Sequence, residues 1–350
     1  MKLGIIDADL IGRKNQRFPN LALMKISAHF KSLGNNVTLL LNYNDLYKFD
    51  NIIISKVFTD TAIPDISKYT DKIIYGGTGF NYENAPFLPS EIEHIMPDYT
   101  LYNNFIINSN KNIKYFTDYS IGFTTRGCFR KCNFCVNKKY DKVDIWSPIE
   151  EFVDYNKPKI CLLDDNLLAY GKHRDILYKL INTNKPFQFK QGLDIRLLRH
   201  DTAKILSTCK YDGDFIFAFD NINDYDKIEH KLKIWRSYTN KNTKFYILVA
   251  YESQDMDDIK NMFIRIKLLM KYKCVPYIMR YNLYTNSKVK ELYINVARWC
   301  NQVSFYKKMS FREFCIAHGE HSKISKICEK YPELNEYFDM KYSKQTYELK

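Results

Sequence analysis

The stretch "IGFTTRGCFRKCNFC", residues 121–135, is an apolar run that ends in a knot of cysteines. Three of the chain's nine cysteines, Cys128, Cys132 and Cys135, fall within eight residues, beside Arg126, Arg130 and Lys131. The apolar part, residues 121–127, has the length and composition of a buried strand, and the same rhythm repeats downstream. "ICLLDDN" (160–166), "FQFKQGLDI" (187–195), "DFIFAFD" (214–220), "KFYILVAY" (244–251) and "VPYIMRY" (275–281) are further apolar runs. Each gap has room for a loop and a helix, such as "HRDILYKLI" or "DDIKNMFIRIKLLM". Six βα units in a row predict a partial (β/α)6 TIM-like barrel over residues 119–285. Such a sheet gathers functional groups at its strands' C-terminal ends. Those ends are polar here: Arg126, Asp164–Asn166, Asp194 with Arg196, Asp220–Asn221 and Glu252. Polar residues end strands in any protein, yet their repetition favours a shared pocket.

Upstream, residues 1–100 carry a second α/β pattern. "KLGIID" (2–7), "NVTLLL" (36–41), "FDNIIIS" (49–55) and "KIIYGGT" (72–78) read as buried strands, and "NLALMKISAHFKSLG" (20–34) as an amphipathic helix ending at Gly34. Strands alternating with helices imply a parallel, Rossmann-like sheet. "LPSEIEHIM" predicts a short helix, with Ser90 and Glu93 spaced as a capping box. Residues 101–118, rich in asparagine and weakly periodic, read as a linker. Residues 286–350, with "ELYINVARWC" and "FREFCIAHG", read as a helical C-terminal region. The fold class is therefore α/β, in two parts.

The composition, 45% hydrophobic and 27% charged, is that of an ordinary globular chain. No apolar run approaches the roughly 18 residues of a membrane span. The opening "MKLGIIDADL" places two acids inside its first apolar stretch, unlike a secretory signal. A cytoplasmic protein without a membrane partner is expected, and in that compartment clustered cysteines bind metal or do chemistry rather than form disulfides. The net charge of +13 is uneven: residues 1–115 hold 12 Lys and Arg against 11 Asp and Glu, which leaves 41 against 29 for the remainder. Nucleic acid is one partner that a basic half could face. A general abundance of lysine, asparagine, isoleucine and tyrosine accounts for the same charge.

Thiolates are soft ligands for iron–sulfur clusters and zinc. Three of them at C-x3-C-x2-C can hold three corners of a cubane and leave the fourth iron open. A zinc site normally takes a fourth protein ligand, and the next candidates in the chain are Cys161 and His173. Cys315, His318, His321 and Cys328 have zinc-binding side chains, but their spacing follows helical periodicity. Cys161, Cys209, Cys274 and Cys300 lie in or beside apolar runs and read as core.

"CFRKCNFC" resembles the C-x3-C-x-aromatic-C signature of the radical S-adenosylmethionine (radical SAM) enzymes. The resemblance covers roughly residues 118–285. It implies that Cys128, Cys132 and Cys135 ligate a [4Fe–4S] cluster and that S-adenosylmethionine chelates the open iron. An electron from a flavodoxin- or ferredoxin-type donor would cleave the sulfonium to a 5′-deoxyadenosyl radical. It also implies that Phe134 packs near the adenine. Asp164 and Asp165 stand where the family has a Gly-Gly-Glu-like stretch for the methionine ammonium. Asp220 and Asn221 would meet ribose hydroxyls, Arg196 a carboxylate, and Glu252 would close the fifth strand, with Ala250 where glycine is common. No residue is assigned to substrate chemistry.

The N-terminal part resembles the cobalamin-binding domain that precedes the barrel in one radical SAM subgroup. "DADLIG" (7–12) matches that domain's Asp-x-His-x-x-Gly except that Asp9 replaces the histidine, and a carboxylate is a poor lower ligand for cobalt. Gly76 and Gly77 sit where a glycine pair approaches the cobalamin tail. The domain is thus implied, and its ligand stays open. No G-x-G-x-x-G opens a helix after the first strand, which speaks against a dinucleotide site. The expected function is radical modification, such as methyl or methylthio transfer, of an unidentified substrate. The alternative is a non-enzymatic zinc or iron–sulfur protein that binds nucleic acid.

Overall fold

An unbroken run of β-branched and aliphatic residues needs apolar cover on both sides, and strand β1 (Lys2–Asp7) has it. Leu3 and Ile5 face one core with Leu23, Met24 and Ile26, whereas Ile6 faces a second with Ile52 and Ile54. In the chain's computed structural model, which describes residues 1–81, 85–109, 113–135, 137 and 139–342, β1 is joined in parallel by β2 (Asn36–Leu39), β3 (Asn51–Ser55) and β4 (Ile73–Gly76). The sheet order is β2-β1-β3-β4, with Ile5 opposite Leu39 on one side and Ile53 on the other. Helix Leu21–Ser32 covers one face; the Asn20 carboxamide caps it by accepting from the Leu23 amide at 3.3 Å.

Eight strands follow: β5 (Tyr119–Gly122), β6 (Thr125–Arg126), β7 (Asp144–Ile145), β8 (Lys159–Leu162), β9 (Phe187–Phe189), β10 (Phe215–Ala218), β11 (Thr243–Val249) and β12 (Val275–Arg280). Contacts divide the chain into two units, Met1–Thr124 with Trp146–Leu162, and Thr125–Ile145 with Leu163–Lys350.

In the first unit β5 and β8 pair in parallel, Ile121 opposite Cys161. The segment 101–118 is no free linker. Helices Asn103–Ile107 and Lys114–Thr117 form within it, and Leu101, Tyr102 and Phe116 are buried in the core with Leu3 and Ile5. A few large apolar anchors outweigh the asparagines around them; residues 110–112 lie outside the described residues. The capping box at Ser90 does not form. Pro89 occupies the cap position of helix Ser90–Glu93 without a side-chain bond. The Glu93 carboxylate turns inward instead, accepting from Lys25 Nζ at 2.6 Å and Trp146 Nε1 at 2.8 Å.

In the second unit β10, β11 and β12 form a parallel sheet. Bridges Phe187↔Tyr211 and Leu193↔Phe217 extend the parallel arrangement toward β9. Helices His173–Asn182, His200–Thr208, Tyr225–Tyr238 and Met256–Lys271 alternate with these strands. The expectation of a helix in every gap fails once: between β6 and β8 the described residues hold only the single turn Ile149–Glu151. That space goes to the cysteine loop, whose ends are joined by the antiparallel pair β6–β7. The helices from Lys290 to Phe338 complete the unit, and residues 343–350 lie outside the described residues. Cys161, Cys209, Cys274 and Cys300 are buried. Cys315 and Cys328 are buried too, and Cys328 Sγ accepts from Arg312 at 3.4 Å; the His321 side chain lies outside the described residues. No helix among the described residues is long and apolar enough to cross a membrane.

Candidate functional site

The cysteine loop leaves β6 through Gly127, at φ 104°, where a Cβ would stand 2.2 Å from the Lys142 carbonyl oxygen. Only glycine fits so close to another stretch of backbone. Asp165 and Asp164, following β8, hold this exit. The Gly127 amide donates to Asp165 at 2.8 Å, and Asp164, buried, accepts from both the Thr125 amide and hydroxyl at 2.6 Å. Both acids therefore face the loop's backbone, and their bonds order it. Asn166, which the sequence reading placed only among the polar strand ends, lies closer to the sulfurs. Its Nδ2 donates to Cys128 Sγ at 3.3 Å, while its buried Oδ1 has no partner. An unpartnered buried acceptor costs about 1–3 kcal/mol, so a donor is missing from this spot.

The three thiols are half-buried. The Cys135 amide donates to the Cys132 carbonyl at 2.9 Å, and Phe134, in the turn so formed, is partly exposed. Burial pushes the Cys132 thiol up; Arg196 acts in the opposite direction, while Cys135, Cys128 and Asp220 add to the rise. Those groups therefore share one neighbourhood with Cys132. Among the described residues no three His, Cys, Asp or Glu side chains are grouped to hold a single metal ion.

Around this loop stand the ends of the other strands of the second unit. Arg196 donates to Asp194 at 2.7 Å and to Asp224 at 2.7 Å, so its charge is already matched by carboxylates. Asp220 accepts from the Leu248 amide at 3.0 Å, and burial pushes its carboxyl up. Asn221 reaches Glu252 at 3.5 Å. The edge of Phe134 meets Tyr251, ring centroids 5.6 Å apart, and Tyr251 meets Tyr281 at 4.8 Å. The two tyrosines were not singled out in the sequence, although each ends one of its apolar runs. Ala250 takes a left-handed φ of 60° and donates its amide to Asp258 at 2.7 Å, a conformation that glycine adopts without strain.

The remaining candidates belong to the first unit. Asp9 is buried and accepts from the Val57 amide at 2.6 Å and from the Thr61 hydroxyl, so both its oxygens bind the loop after β3. A Cβ on Gly77, at φ 91°, would stand 2.3 Å from the Lys56 carbonyl oxygen, whereas one on Gly76 would meet nothing within 4 Å. Gly77 is thus required by the unit's own packing, and Gly76 faces open space. A cleft of about 500 Å³ lies beyond the ends of β1 and β2, lined by Ile11, Asn42, Tyr43 and Tyr69 among others. Burial and the nearby Asp7 and Asp9 push the Tyr43 hydroxyl up to about 12.

No protein-family model matches the chain, and no curated protein matches it in sequence. Among solved structures, TsrM from Kitasatospora setae, a radical S-adenosylmethionine methyltransferase with cobalamin and a [4Fe-4S] cluster bound, matches with a TM-score of 0.53. The match covers 80% of this chain and 72% of TsrM, at 10% sequence identity. Over that span the chain shares the fold of TsrM. At that identity the likeness belongs to the backbone, and each side chain has to be argued from its own surroundings.

Proposed function

We propose that the chain is a radical SAM enzyme. The observation that carries this reading is the loop 127–135. It presents three half-buried thiols, of which Cys132 lies within electrostatic reach of Arg196 and Asp220, at the strand ends of a parallel α/β unit. The donor set fits a [4Fe–4S] cluster with one open corner: three soft thiol ligands within eight residues of one loop. Cys128, Cys132 and Cys135 would hold it. When bound there, the cluster would supply one electron for reductive cleavage of the S-adenosylmethionine sulfonium to methionine and a 5′-deoxyadenosyl radical.

The chain's own groups divide the remaining work. Asp164 and Asp165 fix the loop. The unpartnered Oδ1 of Asn166 is an acceptor for the methionine ammonium, the role first looked for in those two acids. Phe134 and Tyr251 offer an aromatic corner to the adenine. Asn221 and Glu252, adjacent to each other, offer hydrogen bonds to the ribose, with Asp220 holding the strand end beneath them. Arg196 stands near Cys132 with its charge matched by two carboxylates.

In this reading residues 119–285 form the partial (β/α)6 barrel, 286–350 a helical region, and 1–100 a Rossmann-like, cobalamin-domain-like unit. Cobalamin is compatible with that unit, but Asp9 would not ligate cobalt, because both its oxygens are engaged. The reductant is a flavodoxin- or ferredoxin-type protein, and the setting cytoplasmic. Methyl or methylthio transfer is compatible with the shared fold, with the substrate unassigned.

The test is anaerobic reconstitution with iron and sulfide, then dithionite and S-adenosylmethionine, with 5′-deoxyadenosine read by mass spectrometry. Wild-type protein is expected to form it, and Cys132→Ala to lose both iron and product while keeping its circular dichroism. Bound zinc without a cluster or cleavage would sink the proposal.

A further inference from the structure

Arg130 lies between Cys128 and Cys132, yet its side chain leaves the loop. Lys131, the next residue, pairs within it, with Asp141 at 2.7 Å. The Arg130 Nε instead donates to Asp194 Oδ2, on the turn after β9. Asp194 also accepts from the Arg196 Nε at 2.7 Å, its Nη2 at 3.3 Å and its amide at 3.2 Å, and Arg196 Nη1 continues to Asp224 at 2.7 Å. Asp194 is 8% exposed and each arginine 19%. Two cations and two carboxylates therefore form one shielded, neutral chain that starts in the cysteine loop.

From this geometry we infer that Asp194 is a positioning residue with two effects, clamping the cysteine loop through Arg130 and cancelling positive charge beside the Cys132 ligand. The inference rests on the cluster reading for its second effect only. The clamp is a property of the protein without iron. The two effects separate by substitution. Asp194→Asn keeps the shape but removes the negative charge shared by both guanidinium groups, so the loop loosens and the site becomes more positive. Asp224→Asn leaves the Arg130 bond in place and removes a charge from Arg196 alone. A more positive surrounding favours the reduced, more negative cluster and moves its potential upward.

The experiment has two arms. The first is limited trypsin digestion of the apo-protein, with cleavage after residue 130 quantified by mass spectrometry. A guanidinium bonded to Asp194 cannot enter the protease pocket. Asp194→Asn is expected to be cut there about tenfold faster, the change that follows when a charge-assisted bond is lost from a local opening equilibrium. Asp224→Asn is expected to match wild type. Arg130→Lys keeps a trypsin site, lacks the Nε donor and alters only a loop residue. It is expected to be cut faster as well, which keeps the test valid if Asp194→Asn does not fold. The second arm is the midpoint potential of the reconstituted cluster by electron paramagnetic resonance, at equal iron content. It is expected to rise in both aspartate variants. Unchanged cleavage in Asp194→Asn and Arg130→Lys overturns the clamp. Unchanged potential at equal iron overturns the charge effect and leaves a fastening without electrostatic consequence. Wild-type protein that takes up no iron overturns the cluster reading, while the digestion arm still decides the clamp.

Discussion

At Gly127 one missing methyl group decides whether the cysteine loop can leave its strand. A Cβ there would overlap the Lys142 carbonyl at a φ of 104°. Gly127→Ala should lower stability by about 1–3 kcal/mol, visible as a shifted urea midpoint, and reduce iron uptake on reconstitution. Asp7 carries a different residue-level signature. Burial pushes its carboxyl up to about 6 from 3.8, against the hydrogen bonds from Tyr102 and Leu10. The folded protein therefore holds that proton more tightly than the unfolded chain. The associated stability is present below pH 4 and is lost as pH rises through about 6. A two-unit shift amounts to roughly 3 kcal/mol. Asp7→Asn should flatten the unfolding free energy measured from pH 4 to pH 7, and an unchanged slope would assign the pH dependence elsewhere. The sequence made Asp164 and Asp165 legible as neighbours of the site, but not their direction. Residue type says that a carboxylate accepts; only the fold says that the donors are Thr125 and Gly127. Asn166 was overlooked for the same reason, since an acceptor counts as spare only once its surroundings are known.

The elements themselves were the most readable level. β1, β11 and β12 stand within a residue or two of their apolar runs. β1 is covered on both faces and reads as a continuous hydrophobic run, whereas β11 and β12 bury alternate residues and are apolar enough to be read all the same. Helix Met256–Lys271 is started by the Asp255 carboxylate, which accepts from the Asp257 and Asp258 amides at 3.1 and 3.2 Å. Asp255→Ala should cost about 1 kcal/mol, checked by thermal or urea unfolding. The errors arose where several residue types compete for one role. Ser90 and Glu93 have capping-box spacing, but Pro89 takes the cap position and the buried Lys25 captures the glutamate. The genuine box lies at Ser310 and Glu313, where no buried cation competes. In segment 101–118 an average over composition hid Leu101, Tyr102 and Phe116, three side chains sufficient to fasten it.

Across the whole molecule, the alternation of strands and helices was enough to give parallel α/β architecture. Contacts group β5 and β8 with the strands before them, and the sequence groups them with the strands after them. The cores hold many fully buried aliphatic and aromatic side chains in each unit, each contributing about 1.5–3 kcal/mol. Their integrity does not depend on the cysteines of the loop, which are only half-buried. Apo and reconstituted protein should therefore share one far-ultraviolet circular dichroism spectrum. A large gain of helix on adding iron and sulfide would contradict that independence.

The two-residue ladder between Thr125–Arg126 and Asp144–Ile145 has a bearing on how such a protein comes to maturity. It closes the loop locally, so the ends of the segment meet without waiting for distant parts of the chain. Under the proposed function such a scaffold would stand complete before iron and sulfide reach it. Loss of the inorganic part to oxygen would then be an injury open to repair, because what has to be rebuilt is the cargo and not the vessel.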